Sequence, residues 1–454
     1  MMQLSQVAYA VNGEHSGTDV MLHNISINTR DECQDRLFVA LKGDNFDSHD
    51  FVAQAEQAGA GALLVEREVE SSLPTVMVNS THSALIDLAS WWRDQCALPL
   101  VGVTGSVGKT TVKEMLACIF AEFGQGVVTK GNLNNQIGVP LTLMRLTPED
   151  RYAIIEMGMN QAGEISILSN MAKPTIALVN NAAAAHLEGL GTIEAVAKAK
   201  GEIYQGLSID GIAVINSDDD FSELWVELAK NHSIITFGLS ESADVTGRYQ
   251  EKKGCLLIKV KAQDKKLKIK LNTVGEHSVR NALAAIAVAI AAKIPVNSIE
   301  AGLAKFKPVG GRLNIEILAD VAVIVDTYNA NPASMRAAIN VLVQTQDNLL
   351  IVGDMAELGS AAETEHKSLG EQAAIRGVKK LYACGKFAEV VASAFGRGAL
   401  AFNSQSSLLD HLANDELSGT ILVKGSRSAK MERVVEALHK QLQESSSVLS
   451  RGKH

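Results

Sequence analysis

The stretch Val101-Gly-Val-Thr-Gly-Ser-Val-Gly-Lys-Thr-Thr111 combines Gly105, Gly108, Lys109 and Thr110 at a spacing that aims backbone N–H groups and one cation at phosphate oxygens. A nucleotide is the first ligand it suggests. Gly105 and Gly108 would let the chain fold around the phosphates, Lys109 would reach the β- and γ-oxygens, and the Thr110 hydroxyl would sit on a magnesium ion. Five positions before Gly108, where a P-loop usually has its first glycine, this chain has Val103. The competing reading is a tight strand-to-helix turn in an α/β domain.

Other polar groups follow apolar runs, where ligands of open α/β sheets bind. Glu156 ends the run Tyr152-Ala-Ile-Ile-Glu156 and is read as a magnesium ligand or as a structural hydrogen-bonding group. His186 closes Asn180-Asn-Ala-Ala-Ala-Ala-His186, and a lone histidine there is either a satisfied structural residue or a metal ligand. Lys200 stands in a helical stretch whose lysines by themselves read as a solvated face. Asn134 and Asn135, in Gly131-Asn-Leu-Asn-Asn-Gln-Ile-Gly-Val-Pro140, could bind a polar substrate or cap and turn the chain. Asp326-Thr-Tyr-Asn-Ala-Asn-Pro332 offers Asp326, Tyr328 and Asn331 to a ribose and a base, or a capped turn into a helix.

These groups need a scaffold, and the sequence predicts an α/β one. Leu98 to Val103 reads as a buried strand, and Val112, Met115, Leu116, Ile119, Phe120 and Phe123 recur as one helix face does. With 454 residues the chain exceeds one ordinary core. Strands at 37–41, 62–65 and 75–78 around a helix near 51–57 make a small first unit, and a helix over 82–96 leads to the P-loop strand. Strands at 153–156, 175–180, 212–215 and 234–237 continue a second α/β run. Antiparallel strands follow over 245–271, with a turn at Lys253-Gly254, then a helix over 278–292. After Pro308, Gly310 and Gly311, strands at 321–326, 349–352, 381–383 and 421–423 restart the alternation, and residues 445–454 read as a frayed end. The predicted fold class is α/β in three domains: 1–82; 83–311, with a P-loop ATPase-like, mostly parallel sheet and an antiparallel extension; and 312–454, Rossmann-like.

The hydrophobic fraction of 46% fills such cores, and 4% aromatics suits parallel sheets covered by helices. A net charge of -9 argues against a protein that lives on nucleic acid or an anionic membrane. Five cysteines without metal spacing fit reduced thiols and a cytoplasmic location. Neither a signal-peptide pattern nor a membrane-length apolar run is evident.

Taken together, these segments resemble the Mur ligases, ATP-dependent amide-forming enzymes of bacterial peptidoglycan precursor synthesis, over nearly the whole chain. The family's Thr-Gly-x-x-Gly-Lys-Thr loop accounts for Val103. The segments 131–140 and 326–332, with Gly353-Asp-Met-Ala-Glu-Leu-Gly359, look most like the member that joins D-alanyl-D-alanine to UDP-N-acetylmuramoyl-tripeptide. No Asp-Asn-Pro-Arg sequence of the diaminopimelate-adding relative is present. The resemblance implies an ADP-forming ligase that uses ATP and Mg2+, with no nucleic acid or membrane partner, acting as a monomer. It implies that Gly105, Ser106, Val107, Gly108, Lys109, Thr110 and Thr111 bind ATP. Asn281 would contact adenine and Arg312 a phosphate, while Asp326, Tyr328 and Asn331 would close from the third domain. Lys109, Glu156, His186 and Lys200 would form the catalytic set. Thr110, Glu156, His186 and Lys200, the last as a carbamate, would hold metal. Thr29, Arg30, Lys42, Asn45, Phe46, Asp47 and His49 would bind the uridine end, with Asn134 and Asn135 also on substrate. Asn28-Thr-Arg30 stands where Asp-Ser-Arg is commoner, and Val325 precedes Asp326 where a second aspartate is frequent. Alternatives are another Mur ligase, the related folylpolyglutamate synthase, or a nucleotide-binding switch without ligase activity.

Overall fold

The computed structural model describes residues 1–252 and 254–451, with side chains through Gln443. Three main sheets follow one another along the chain. The central one has nine strands in the spatial order Val127–Val128, Ala153–Glu156, Leu100–Thr104, Ile176–Val179, Ile212–Asn216, Ser233–Gly238, Val245–Lys252, Cys255–Ala262, Lys265–Leu271. The first seven run parallel and the last two add in antiparallel fashion.

The parallel strands are uninterrupted apolar runs because helices cover both faces. Ala153 and Ile155 enter one core with Leu85, Leu168 and Trp225, whereas Ile154 enters the other with Leu116 and Leu283. Leu256, Ile258 and Val260 alternate with Lys259 and Lys261, as expected of antiparallel strands with one buried face. Helix Lys109–Ala121 buries Val112, Met115, Leu116, Ile119 and Phe120. Phe123, which the spacing assigns to the same face, lies past the helix end and is 44% exposed.

The N-terminal sheet orders Glu14–Ser16, Thr75–Met77, Ala62–Val65, Leu37–Val39, Ile25–Ser26, and a separate hairpin pairs Lys42–Gly43 with Phe46–Asp47. Helix Thr81–Asp94, capped by Ser80, buries Leu85 and Leu88 in a core shared with Leu4 and Leu64 on one side and Ile165 on the other. It therefore joins the first unit to the second. The third sheet orders Asn314–Leu318, Val321–Asp326, Thr420–Lys424, Asn348–Gly353, Lys380–Cys384, Ala399–Phe402, parallel except for the first pair. The edge strands 314–318 and 399–402 are less buried and carry a weaker apolar signal, as does the unpredicted helix Leu4–Ala10.

Of the turn expected at Lys253-Gly254, Gly254 has φ 73° and Lys253 lies outside the described residues. The final helix runs Glu432–Arg451, into the segment expected to fray, and 452–454 lie outside the described residues. All five cysteines are free thiols. No helix among the described residues is long and apolar enough to cross a membrane.

Candidate active site

Because the central strands from 127 to 238 run parallel, their C-terminal ends share one edge. That edge carries the 105–108 turn, Glu156, Asn180 and Asn216 beside a cavity of about 1160 Å3. Helix Lys109–Ala121 begins at Gly108, whose φ is 81°. A Cβ there would lie 2.4 Å from Asn281 Oδ1 and 2.7 Å from Asn180 Nδ2, so both the conformation and the close approach require glycine. The turn is fastened to the 180–183 loop. Val107 N donates to Asn181 Oδ1 (2.9 Å), Asn180 Nδ2 donates to Val107 O (3.0 Å), and Ala183 N donates to Ser106 Oγ (2.9 Å).

Lys109 Nζ donates to Gly105 O at 2.7 Å, and burial lowers its ammonium pKa although Glu156 opposes this. The Thr110 hydroxyl donates to Glu156 Oε2 (2.9 Å) and accepts from Arg312 Nη2 (3.0 Å), while Asn134 Nδ2 donates to Glu156 Oε1 (2.9 Å). Thr111 lines the cavity beside them. Glu156 is thus a buried carboxylate held by neutral donors, with oxygens converging on Thr110, an arrangement able to accept a hard divalent cation. Among the described residues no three His, Cys, Asp or Glu side chains form a metal-binding group, so a cation at this edge would draw its remaining ligands from water and phosphate.

His186 has φ 58° at the start of a short helix, and its Nδ1 lies 2.7 Å from Glu357 Oε2 of the third domain, an ion-pair separation without hydrogen-bond geometry. The proximity of His186 keeps the Glu357 carboxyl below its usual range. Lys200, on helix Ile193–Gly201, is fully buried rather than on a solvated face. Burial, with the Lys109 charge nearby, pushes its pKa far down and favours the neutral amine.

From the third domain, the Arg312 guanidinium lies 4.1 Å over the Tyr328 ring, and its buried Nε has no hydrogen-bond partner among the described residues. Asp326 is engaged within its own sheet: its Oδ2 lies 2.6 Å from Lys424 Nζ, and its Oδ1 accepts from Leu313 N. Asn331 caps helix Pro332–Leu342, accepting from Ser334 N at 2.9 Å. Asn281 Oδ1 accepts from Asn180 Nδ2 at 3.0 Å. Asn135 Oδ1 accepts from Ile137 N (3.2 Å) and Gly138 N (2.9 Å), turning the chain into helix Gly138–Leu143, and Asn134 and Asn135 both line the cavity.

The first-domain candidates do not line the cavity. Lys42, Asn45 and Phe46 lie exposed on the hairpin, with Phe46 stacked on Phe51; Arg30 is exposed and Thr29 half-buried. Asp47 and His49 are committed to the hairpin base. His49 is buried, with Nδ1 2.6 Å from Asp47 and Nε2 accepting from Glu66 N. Sequence reasoning assigned no role to Asn180, Asn181, Glu357 or Lys424. Lys424 follows the apolar run 421–423, so the strand-end criterion that singled out Glu156 also reaches it.

Family models match three segments: "Mur ligase family, catalytic domain" over 21–90, "Mur ligase middle domain" over 103–289 and "Mur ligase, glutamate ligase domain" over 311–427. The chain is 42% identical over 443 residues to UDP-N-acetylmuramoyl-tripeptide--D-alanyl-D-alanine ligase of Escherichia coli, covering 96% of this chain and 98% of that one. A crystal structure of MurF from Acinetobacter baumannii superposes with a TM-score of 0.91 at 35% identity, covering 96% and 98% of the two chains. MurF from Thermotoga maritima in complex with ADP gives 0.82 at 28%, covering 93% and 98%. With its three segments matched in order and relatives this similar along nearly their whole length, the chain belongs to the Mur ligase family.

Proposed function

We infer that this chain is an ATP-dependent, ADP-forming ligase that joins D-alanyl-D-alanine to the tripeptide carboxylate of UDP-N-acetylmuramoyl-tripeptide, yielding the pentapeptide precursor of peptidoglycan. The observation that carries the reading is the cavity in which the P-loop, Glu156 and third-domain Arg312 converge. The relatives that match almost end to end bear the name of that activity. They also favour this reading over a folate enzyme or a simple nucleotide switch.

A carboxylate does not react with an amine in water without activation. Phosphorylation by ATP makes an acyl phosphate, and the dipeptide amine then attacks the carbonyl with loss of phosphate. Two anions must first approach each other. Lys109 offsets their repulsion and the loop amides of Gly105, Ser106, Val107, Gly108, Thr110 and Thr111 cradle the phosphates. Arg312, with an unpaired Nε, meets a phosphate from the opposite side. Asn281 and Tyr328 hold the base and ribose; Asp326 and Asn331 shape that wall through Lys424 and the helix cap.

Mg2+ fits the oxygen donors of Thr110 and Glu156, and when bound it neutralises charge on the transferred phosphoryl group. His186 and Lys200 are the residues for a second ion. The neutral amine favoured at Lys200 is the form that reacts with carbon dioxide to give a carbamate, whose oxygens could ligate where an ammonium could not.

The uridine end rests on the first domain, on Thr29, Arg30, Lys42, Asn45 and Phe46, with Asp47 and His49 holding their hairpin, and Asn134 and Asn135 shape the path to the cavity. In this reading residues 1–82 bind the UDP-sugar, 83–311 bind ATP and 312–454 close over both and exclude water from the acyl phosphate. One chain supplies every group named, so a monomer suffices, and nucleotide-linked substrates with free thiols suit the cytoplasm.

The test is phosphate release from ATP with magnesium. Release should require both the nucleotide-linked tripeptide and D-alanyl-D-alanine; release independent of the dipeptide would leave a nucleotide switch, and no release at all would refute the assignment.

A further inference from the structure

The loop after strand Asn348–Gly353 brings Glu357 to the central domain, where its Oε2 lies 2.7 Å from His186 Nδ1 and its carbonyl accepts from Glu188 N at 3.2 Å. Glu357 has φ 63°, a left-handed conformation that is costly for a side chain of this kind and persists only where neighbours impose it. A buried histidine holds the start of the same loop. His366, 1% exposed on helix Ala362–Arg376, accepts from Met355 N at Nε2 (2.9 Å), and its Nδ1 lies 2.7 Å from Ala362 O. A carbonyl only accepts, so Nδ1 carries the proton and Nε2 the lone pair. The ring also stacks on Phe387 at 4.4 Å, and Phe387 N is held by the Asp354 carboxylate, which starts the same loop.

We propose that His366 is a positioning residue for the ligation step: it fixes the loop 353–359 so that Glu357 meets His186 across the cavity when the third domain closes. This rests on the ligase reading above. His366 does not line the cavity, and neither the phosphorylation nor the amide-forming step uses it.

Protonation would put an N–H at Nε2 against the Met355 N–H, two donors face to face, and release the loop. Burial holds the His366 pKa below its usual 6.5; the hydrogen bond to Ala362 and the charges of Asp354, at 3.9 Å, and Glu365 act the other way. Lys386, whose ammonium lies 5.2 Å over the Phe387 ring, is the nearby cation. The loop is therefore held at neutral pH and loosens only in acid.

The test is a double-mutant cycle on phosphate release, with the dipeptide and ATP varied separately. His366→Asn keeps a polar group near Nδ1 but cannot reach Met355; His366→Gln places an acceptor near Nε2. His366→Asn should lower kcat/KM for the dipeptide about tenfold, as expected for a lost buried hydrogen bond, with KM for ATP nearly unchanged. His366→Gln should recover most of it, and His366→Asn combined with Glu357→Gln should be no worse than Glu357→Gln alone. The ratio of His366→Gln to wild-type activity should rise as the pH falls below 6.5. Multiplicative losses in the double variant, or a Gln variant as impaired as Asn, would overturn the proposal while the wild type stays active. A wild type that releases no phosphate with both substrates would remove the ligase reading and this proposal together.

Discussion

The turn after strand Leu100–Thr104 and the segment after strand Val321–Asp326 look equally rich in chemistry, yet the structure uses them differently. In the first, Lys109, Thr110 and Glu156 converge beside a cavity, and among the described residues Lys109 hydrogen-bonds only its own loop carbonyl. In the second, Asp326 is paired with buried Lys424 and Asn331 caps a helix, while Arg312 and Tyr328 supply the surface that faces the first. Polar residues at a strand end serve either the ligand or the scaffold, and their partners tell which.

The largest test of this contrast is Lys109→Ala. It should cut ATP-dependent phosphate release about 1,000-fold or more with thermal unfolding little changed, since it removes charge aimed at the phosphates and no packed core. Lys424→Met should act through stability instead. It strands the buried Asp326 carboxylate, and denaturant unfolding should show a loss of about 3–5 kcal/mol. An unchanged midpoint would mean that the pair is not part of the scaffold.

His277 stands between the two regions, near Asp326 and Lys424, and burial lowers its pKa from 6.5 to about 4. The folded state therefore refuses a proton that the unfolded chain accepts below pH 6.5. Stability from neutral His277 should be complete above that pH and decline as pH falls towards 4, and His277→Gln should flatten this decline in urea titrations at pH 7 and 5. The smallest effect is expected of Asn331→Ala, about 1 kcal/mol of stability for a lost helix cap, read from the same titrations. If KM for ATP rose many-fold instead, Asn331 would belong to the ligand after all.

Much of the site was legible because strand ends of a parallel sheet converge by construction. Glu156 and His186 follow apolar runs, and so lie on the same edge as Lys109. Lys200 was the opposite case. Its helix spacing reads as a solvated face, and only the packing of 193–201 within the central domain buries it. Phe123 failed for a local reason: periodicity continues past the residue where the helix ends.

Apolar periodicity, the glycine turn and the order of elements were enough to specify three α/β units and a sheet edge where the candidate site residues gather, because these depend on near-neighbour sterics and on burying continuous apolar runs. Tertiary structure alone decided that Lys424 neutralises Asp326, that Arg312 crosses to Thr110, and that Glu357 faces His186. Those partners lie 98, 202 and 171 positions apart in the numbering. No local pattern encodes a contact between residues that meet only once a sheet has assembled, as for Asp326 and Lys424, or once separate domains have packed together, as for the other two pairs.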